Sequence, residues 1–497
     1  MSAHNFEIPS RQSAKGIIVI FGVSLYKVIR GTIIIFAALF FKYVRSDKSP
    51  DFTSLKFILP VIGVFALFLL LAVFRYLNFK FYVRDNYFFL KKGIFNKEEI
   101  SVSTSKIQNI YIKQNVLQQI INVVSLSIET AGDDKTEIEI LALSKAKAEQ
   151  LKAYLLSFSE VNREEELDNA DKTIHYKASI KKLLLEGVSE NHLKSFVIIF
   201  AFIIGIYNDV KEFVKQLNLS SKFGNWFQLD NESFMSFMLF NVFIVLALLL
   251  LSFFLSLIKM LVKNFNLTVR RGPDGLEISK GLLNKINLSL TASRIQNTTV
   301  STNRLKKVLG LYKLAFTQAM ANKKQQLNFN IVGLSKIQIS ELLQQFYPDA
   351  EDRITKNKPN RYLFYRFLFL SAFILCIINL PLFFGSKWLF LFNIPIIAYC
   401  VANAINIYRK AYYHIDNEYI VVGNGALIET NTSFLEIKKV QAVALKQSIF
   451  QKNKNIASVI VYTASKPIKI PHVELDLAYN IKNYLLYKVE HDNKNWM

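Results

Sequence analysis

The feature that most constrains this chain is a short pattern that occurs three times. Lys106-Ile107-Gln108, Arg294-Ile295-Gln296 and Lys439-Val440-Gln441 each join a basic residue, a β-branched residue and a glutamine. A threonine closing a strand-like tripeptide follows each glutamine after 22, 21 and 22 residues: Ile128-Glu129-Thr130, Ala315-Phe316-Thr317 and Val461-Tyr462-Thr463. One tripeptide means little, but three at matched spacing indicate one structural unit used three times. Within each unit the local pattern is β. Phe79–Val83 and Tyr87–Lys91 flank the turn pair Asp85-Asn86, Leu267–Arg270 and Leu276–Ser279 flank Gly272-Pro273-Asp274-Gly275, and Tyr419–Val422 precedes Asn424-Gly425, a type I′ signal. Helical patterns at Ser144–Leu156, Ser335–Phe346 and Leu475–Val489 close the units, with Ser144 and Ser335 as N-caps.

Each unit follows a pair of apolar runs. The pairs are Val28–Tyr43 with Leu55–Leu77, Leu193–Tyr207 with Phe234–Val262, and Tyr362–Leu380 with Trp388–Ile407. Gly16–Arg30 and Ile180–Val188 precede the first two pairs as amphipathic stretches. Either such a helix lies in the interface and turns into a tilted span, or Gly16–Phe41 is one long helix with two snorkelling cations. No small-x-small site follows Ile17–Tyr26, whereas Lys27 and Arg30 do, so the run is read as a retained segment rather than a cleaved leader. Composition agrees with membrane spans joined to basic soluble parts. The chain is 52% hydrophobic with 42 Phe, which excludes intrinsic disorder, and two cysteines in 497 residues exclude a disulfide scaffold.

These observations predict a multi-pass α-helical membrane protein, six spans in three pairs, with three cytoplasmic α+β domains. The expected division is 1–78 (N-terminal segment and first span pair), 79–158 (first domain), 159–190 (linker and amphipathic helix), 191–262 (second span pair), 263–350 (second domain), 351–409 (linker and third span pair) and 410–497 (third domain). Only 8 of the 61 Lys and Arg residues fall in the short segments within pairs, which places the domains and both termini in the cytoplasm.

The repeats resemble the bacterial pleckstrin-homology-like, membrane-flanked domain, and the triplicated arrangement resembles the YdbT-like membrane proteins. In the first unit the resemblance rests on Lys106-Ile107-Gln108-Asn109, Lys113-Gln114-Asn115 and Ile128-Glu129-Thr130-Ala131-Gly132. The third keeps Lys446-Gln447 and Thr463-Ala464, with Ser465 in place of Gly132. The second departs most, with Thr302 where the others have Gln114 and Gln447, and Gln318 in place of alanine. The resemblance implies a pleckstrin-homology-like β fold in a bacterial inner-membrane protein, with a small membrane-flanked protein as partner. It carries no catalytic motif.

The search for chemistry is negative. The six histidines contain no i, i+4 pair, Cys376 and Cys400 form no CxxC, and there is no Walker loop or G-x-S-x-G. No cofactor, metal or nucleic-acid partner is expected. The candidate contacts with anionic membrane lipid or a partner are Lys106, Gln108, Arg294, Gln296, Lys439 and Gln441 of the motif, and the cations Arg75, Lys263, Arg270, Arg409 and Lys410 beside the span ends. Each cation near an anionic leaflet contributes about 1 kcal/mol. Asn241, Asn379, Asn393 and Asn403 are read as helix-to-helix hydrogen-bonding residues. A non-enzymatic scaffold or lipid-facing assembly protein is the expected function, with a transporter or lipid-moving protein as the alternative.

Overall fold

The computed structural model describes residues 6–44, 55–130, 137–157, 174–190, 192, 195–199, 201, 234–272, 275–318, 329–382, 390–391 and 393–491. Three copies of one strand order run along them. The first comprises β1 (Lys80–Arg84), β2 (Tyr87–Lys92), β3 (Glu98–Ser103), β4 (Ile107–Gln114), β5 (Val124–Thr130) and β6 (Glu137–Leu143). A single 3₁₀ turn at Thr104–Lys106 separates β3 from β4, and a short helix α3 (Val116–Ile120) separates β4 from β5. Helices α1 (Gly16–Val44) and α2 (Leu55–Leu77) precede the strands, and α4 (Lys145–Ser157) closes them. The second copy begins with β7 (Ile174–Lys177), α5 (Ile180–Val188) and α6 (Phe234–Asn264). It continues through β8 (Thr268–Gly272), β9 (Gly275–Lys280), β10 (Lys285–Thr291), β11 (Ile295–Asn303), α7 (Arg304–Val308), β12 (Tyr312–Gln318), β13 (Phe329–Leu334) and α8 (Lys336–Phe346). The third has α9 (Tyr362–Leu382), α10 (Asn393–Lys410), β14 (Tyr412–Ile415), β15 (Tyr419–Gly425), β16 (Glu429–Glu436), β17 (Ala442–Lys446), α11 (Ile449–Lys452), β18 (Ile456–Tyr462), β19 (Ile468–Glu474) and α12 (Leu475–His491).

Alternation explains the strands. In β1 and β2, Phe81, Val83, Phe88 and Leu90 point into the core, while Lys80, Arg84 and Lys91 point out. Asp85 and Asn86, at φ 51° and 60°, form the two-residue turn their sequence predicts. The first core adds Leu126, Ile128, Ile138 and Ile140 from the second sheet and Ala148, Leu151 and Leu155 from α4. The third repeat repeats this arrangement with Ile420, Val422, Val459, Ile470, Ala478 and Leu485. Asn424-Gly425 is not the turn. Both belong to β15, and the chain reverses at 426–428 instead. A Cβ on Gly425 would lie 2.5 Å from the Glu429 carbonyl, so this close approach requires glycine.

The chain divides into two compact units. Among the described residues the first holds those within 6–176 and 268–291, and the second those within 177–267, 292–318 and 329–491. Each unit contains a large sheet formed by joining two repeats. In the first unit the order is β6-β5-β4-β10-β9-β8-β7, and in the second it is β13-β12-β11-β16-β15-β14. The joining strands pair Lys285↔Gln114, Ile286↔Lys113 and Asn287↔Ile112 in the first unit. In the second they pair Thr430↔Thr302, Asn431↔Ser301 and Thr432↔Val300. Counted from the repeated motifs, these are the same positions in the same register.

Each repeat also begins earlier than expected. Ser10 pairs with Phe81, Ala178 donates to the Leu267 carbonyl, and Asn357 pairs with Tyr413, so a segment before each helical pair extends its first sheet.

The expected six-span helical protein is not what the chain forms. Nineteen strands in antiparallel sheets lie among the described residues. One helical segment there, Val245–Asn264 in α6, is long and apolar enough to cross a bilayer. The apolar helical stretches Ile62–Leu77 and Tyr362–Ile377 have 10–17 residues. Helix α10 carries Asn393, Asn403, Asn406, Arg409 and Lys410. The Val28–Tyr43 run is part of one continuous helix, α1, from Gly16 to Val44. Residues 193–194, 200 and 202–207 of the Leu193–Tyr207 run lie outside the described residues, as do 388–389 and 392 of the Trp388–Ile407 run.

Candidate functional site

The motif residues sit where one sheet hands over to the next. Lys106, Arg294 and Lys439 each end a single 3₁₀ turn. Gln108 and Gln296 occupy the register shifts at the starts of β4 and β11, so each glutamine marks a β-bulge. The side chain of Gln108 lies outside the described residues. Gln296 is buried and accepts a hydrogen bond from the Ala464 amide at 3.2 Å. Gln441 has an exposed side chain, and its own amide donates to the Tyr462 carbonyl at 2.9 Å. Lys106 is exposed, Arg294 is half-buried, and Lys439 is buried with its ammonium donating to the Ser293 carbonyl. Burial holds the Lys439 ammonium below the ordinary lysine range.

In the second unit the motif turns of the second and third repeats meet at a cavity of about 220 Å³, lined in part by Ser293, Ile295, Phe346, Tyr347, Glu436 and Lys439. The Tyr347 hydroxyl lies 3.0 Å from Thr298 Oγ1, and burial pushes the phenol well above its usual range, so it is protonated at neutral pH. The cavity therefore offers hydrogen-bonding groups and a cation.

The cations beside the helices differ in their engagement. Arg75 Nη1 donates to Ser24 Oγ at 3.2 Å. Lys263 and Arg270 are exposed, with Arg270 opposite Glu277 in the β8–β9 register. Arg409 is exposed and its carbonyl accepts from Lys358 Nζ at 2.6 Å. Lys410 Nζ is committed to the β15–β16 turn, donating to the carbonyls of Ala426 at 2.6 Å and Glu429 at 3.0 Å. Asn379 and Asn393 exchange amide hydrogen bonds at 3.1 and 2.9 Å between α9 and α10, as read from the sequence. Asn403 instead accepts from the Leu427 amide at 2.8 Å. The Asn241 side chain lies outside the described residues.

A second constellation escaped the sequence reading. Ten residues after each motif glutamine stand Gln118, Lys306 and Gln451, and seventeen after stand Ser125, Lys313 and Ser458. All three helices that carry the first position begin with an Asn or Ser N-cap: Asn115, Asn303 and Ser448. In the first repeat Gln118 Nε2 donates to Ser125 Oγ at 2.5 Å and to the Leu141 carbonyl at 2.7 Å. In the third, Gln451 Nε2 lies 3.3 Å from Ser458 Oγ and 2.8 Å from His472 Nδ1. Arg366 Nη1 is 3.2 Å from His472 Nε2, and a guanidinium beside the buried ring disfavours its charged form. Burial, with Arg366 and Lys469 nearby, lowers the His472 pKa to about 4.

The second repeat holds charge at these positions. Lys306 Nζ contacts Glu186 Oε1 at 2.5 Å and Glu190 Oε1 at 3.1 Å. Glu186, fully buried, comes from α5, whose Leu183 and Gly187 also face inward. Burial opposes the Lys306 charge, but Glu186 and Glu190 outweigh it and hold the ammonium above its ordinary pKa. Burial pushes the Glu186 carboxyl up while Lys306 pulls it back. Lys313 is pulled down by burial and by repulsion from Lys306 and Lys263, against the attraction of Glu190. The amphipathic stretch predicted at Ile180–Val188 thus turns Glu186 into the protein.

Comparison with known proteins accounts for the threefold pattern. The bacterial PH domain matches three times, over residues 32–159, 226–348 and 366–489. Transmembrane protein YdbT of Bacillus subtilis (strain 168) is 23% identical over 433 residues, covering 82% of this chain and 83% of that protein. No solved structure matches. The sheet-to-sheet handover at a 3₁₀ turn and the closing helix of each repeat therefore have a common origin, and the chain belongs to the bacterial PH domain family, whose domain it carries three times.

Proposed function

We propose that this protein is a non-enzymatic, membrane-associated scaffold that presents joined PH-like repeats at an anionic lipid surface on the cytoplasmic side. The observation that carries the reading is the repeated junction. Strands β4 and β10, and again β11 and β16, fuse neighbouring repeats into continuous sheets with one register. Such fusion fixes surfaces relative to one another within each unit, which suits an assembly platform. Membrane association is supported by α6, whose Leu250, Phe254 and Ile258 are exposed, and by the word transmembrane in the name of the YdbT relative. Exposing an apolar helix to water costs about 25 cal/mol per Å² of apolar surface, a cost that lipid removes. Lys259 and Lys263 lie at its C-terminal end, where attraction to anionic headgroups adds to the anchoring.

The test is purification of the full chain in mild detergent, followed by mass spectrometry of the lipids that accompany it. Enrichment of anionic lipid over the bulk membrane, reduced in a Lys263→Glu/Arg270→Glu variant, is the expected result. Recovery of lipid in bulk proportions by both proteins would count against the lipid-facing reading. A small membrane-flanked protein in stoichiometric amount would add the partner that the resemblance implies.

A further inference from the structure

Two of the edge strands among the described residues occupy positions that join repeats elsewhere in the chain. Among the described residues, β3 pairs only with β2 and β17 only with β18. They are not arbitrary edges. β3 is the counterpart of β10 and β16, and β17 is the counterpart of β4 and β11, the strands that join repeats elsewhere in the chain. At both existing junctions, the residue nine before a motif's basic residue lies opposite the residue six after the preceding motif's glutamine. These pairs are Lys285↔Gln114 and Thr430↔Thr302. The same rule places Lys97 opposite Gln447, Glu98 opposite Lys446 and Glu99 opposite Leu445. Glu98 and Lys446 are exposed residues of opposite charge, and direct cross-strand placement of such a pair is favourable.

The surroundings of the open edges fit the same rule. At the first junction Gln119 of α3 donates to the carbonyls of Leu282 and Leu283, both at 2.9 Å, in the turn before β10. The matching turn before β3 already has that shape: Gly93 sits at φ 111° and Gly281 at φ 108°, each too close to a carbonyl three residues on to admit a Cβ. Its Phe95 is 95% exposed, whereas the matching Leu283 is 47% exposed. On the other edge Ile449 of α11 is 81% exposed against 44% for the matching Val116, and exposed Lys452 stands where Gln119 stands. The open ends thus expose apolar groups that the formed junction partly covers.

We propose that β17 of one copy pairs with β3 of a second copy, head to tail, continuing between molecules the junction that the chain makes twice within itself. A second copy is the occupant because this chain carries both edges, with complementary charge and matched turns. Such an interface is heterologous, so it closes into a ring or extends according to the rotation it imposes. The inference does not depend on lipid binding, and its test reads contact between copies whatever the lipid.

The test uses two differently tagged full-length copies co-expressed in intact cells, with the free cysteines Cys376 and Cys400 replaced by serine. One copy carries Glu99→Cys and the other Leu445→Cys. Directly opposed antiparallel residues have Cα atoms about 4.5–5.5 Å apart, within disulfide reach. Mild oxidation is expected to give a cross-linked dimer holding both tags, which is lost when Ser101→Cys replaces Glu99→Cys. Adding Glu98→Lys is expected to remove the dimer, and adding Lys446→Glu to the partner copy to restore it. No dimer above the Ser101→Cys control, a disulfide confined to one chain when both cysteines are placed on it, or capture of a different protein instead of the second copy would overturn the proposal. So would a dimer indifferent to the charge exchange.

Discussion

The second repeat and its two neighbours solve the same packing problem with different chemistry. In the first and third repeats the short helix after the motif buries a glutamine, Gln118 or Gln451, against a serine one strand away. In the second, the corresponding residues are Lys306 and Lys313, and the acceptors come from outside the repeated strands, as Glu186 of α5 and Glu190 just beyond it. A neutral amide is satisfied by whatever carbonyl or hydroxyl is near. A buried ammonium needs a carboxylate, and that requirement fixes α5 in place. The comparison shows where one repeat has become dependent on a neighbouring helix.

The comparison breaks most sharply at Glu186. Glu186→Ala leaves Lys306 buried beside only the partly exposed Glu190, and the loss should be about 3–5 kcal/mol in denaturant unfolding of the second unit. The Glu186→Gln/Lys306→Gln double variant converts the site to the neutral kind seen in the other repeats. It should be more stable than Glu186→Ala. Equal destabilisation by both would show that charge is irrelevant to the joint.

The third repeat supplies the next largest effect, through pH. Its folded-state pKa of about 4 for His472 lies below the ordinary 6.5, so the unfolded chain binds more protons between those values. Stability from the neutral ring is full above about pH 6.5 and falls as pH drops through 4. At about 1.4 kcal/mol per pKa unit, the loss is about 3 kcal/mol. His472→Gln should flatten that slope between pH 4 and 6.5 in thermal melts, and an unchanged slope would assign the pH dependence elsewhere. A smaller step comes from Ser125→Ala in the first repeat. It removes one acceptor from Gln118 but leaves the Leu141 carbonyl, for a cost of about 1 kcal/mol by the same unfolding measurement.

What the sequence makes legible follows how local each cause is. Alternation around Phe81 and Phe88 and the turn at Asp85-Asn86 are short-range, and they form as read. The N-cap at Ser335 is equally local, completed as a capping box by Gln338. The Asn424-Gly425 turn fails because β15 must extend to reach its partners on β16, and Lys410 caps the displaced turn from the end of α10. Six spans fail for a related reason. Apolar runs report what avoids water, not how the strands between them pair, and α10 is interrupted by Asn403 and Asn406. The joining of β4 to β10 lies far from any local signal. The lysines at positions 306 and 313 were within reach, since their fixed offsets from the motif glutamine expose the substitution, yet their carboxylate partners lie more than a hundred residues away.

Thr302 gives the finest test of how the second repeat differs. By sequence it departs from Gln114 and Gln447, which suggests a lost role. In the fold Gln114 Nε2 donates to the Val123 carbonyl at 2.9 Å and Gln447 Nε2 to the Ile456 carbonyl at 3.0 Å. Thr302 Oγ1 reaches the corresponding Leu311 carbonyl at 3.2 Å, so a hydroxyl replaces the amide on the same acceptor. The shared task at this position is satisfaction of a backbone carbonyl across the short helix. Thr302→Val keeps the shape and removes the donor, and it should cost about 0.5–1 kcal/mol in denaturant unfolding. Thr302→Gln restores the residue of the other two repeats and should be less harmful than Thr302→Val. The reverse order would mean that the hydroxyl has a task of its own in the second repeat, where Thr302 also pairs with Thr430 of the third.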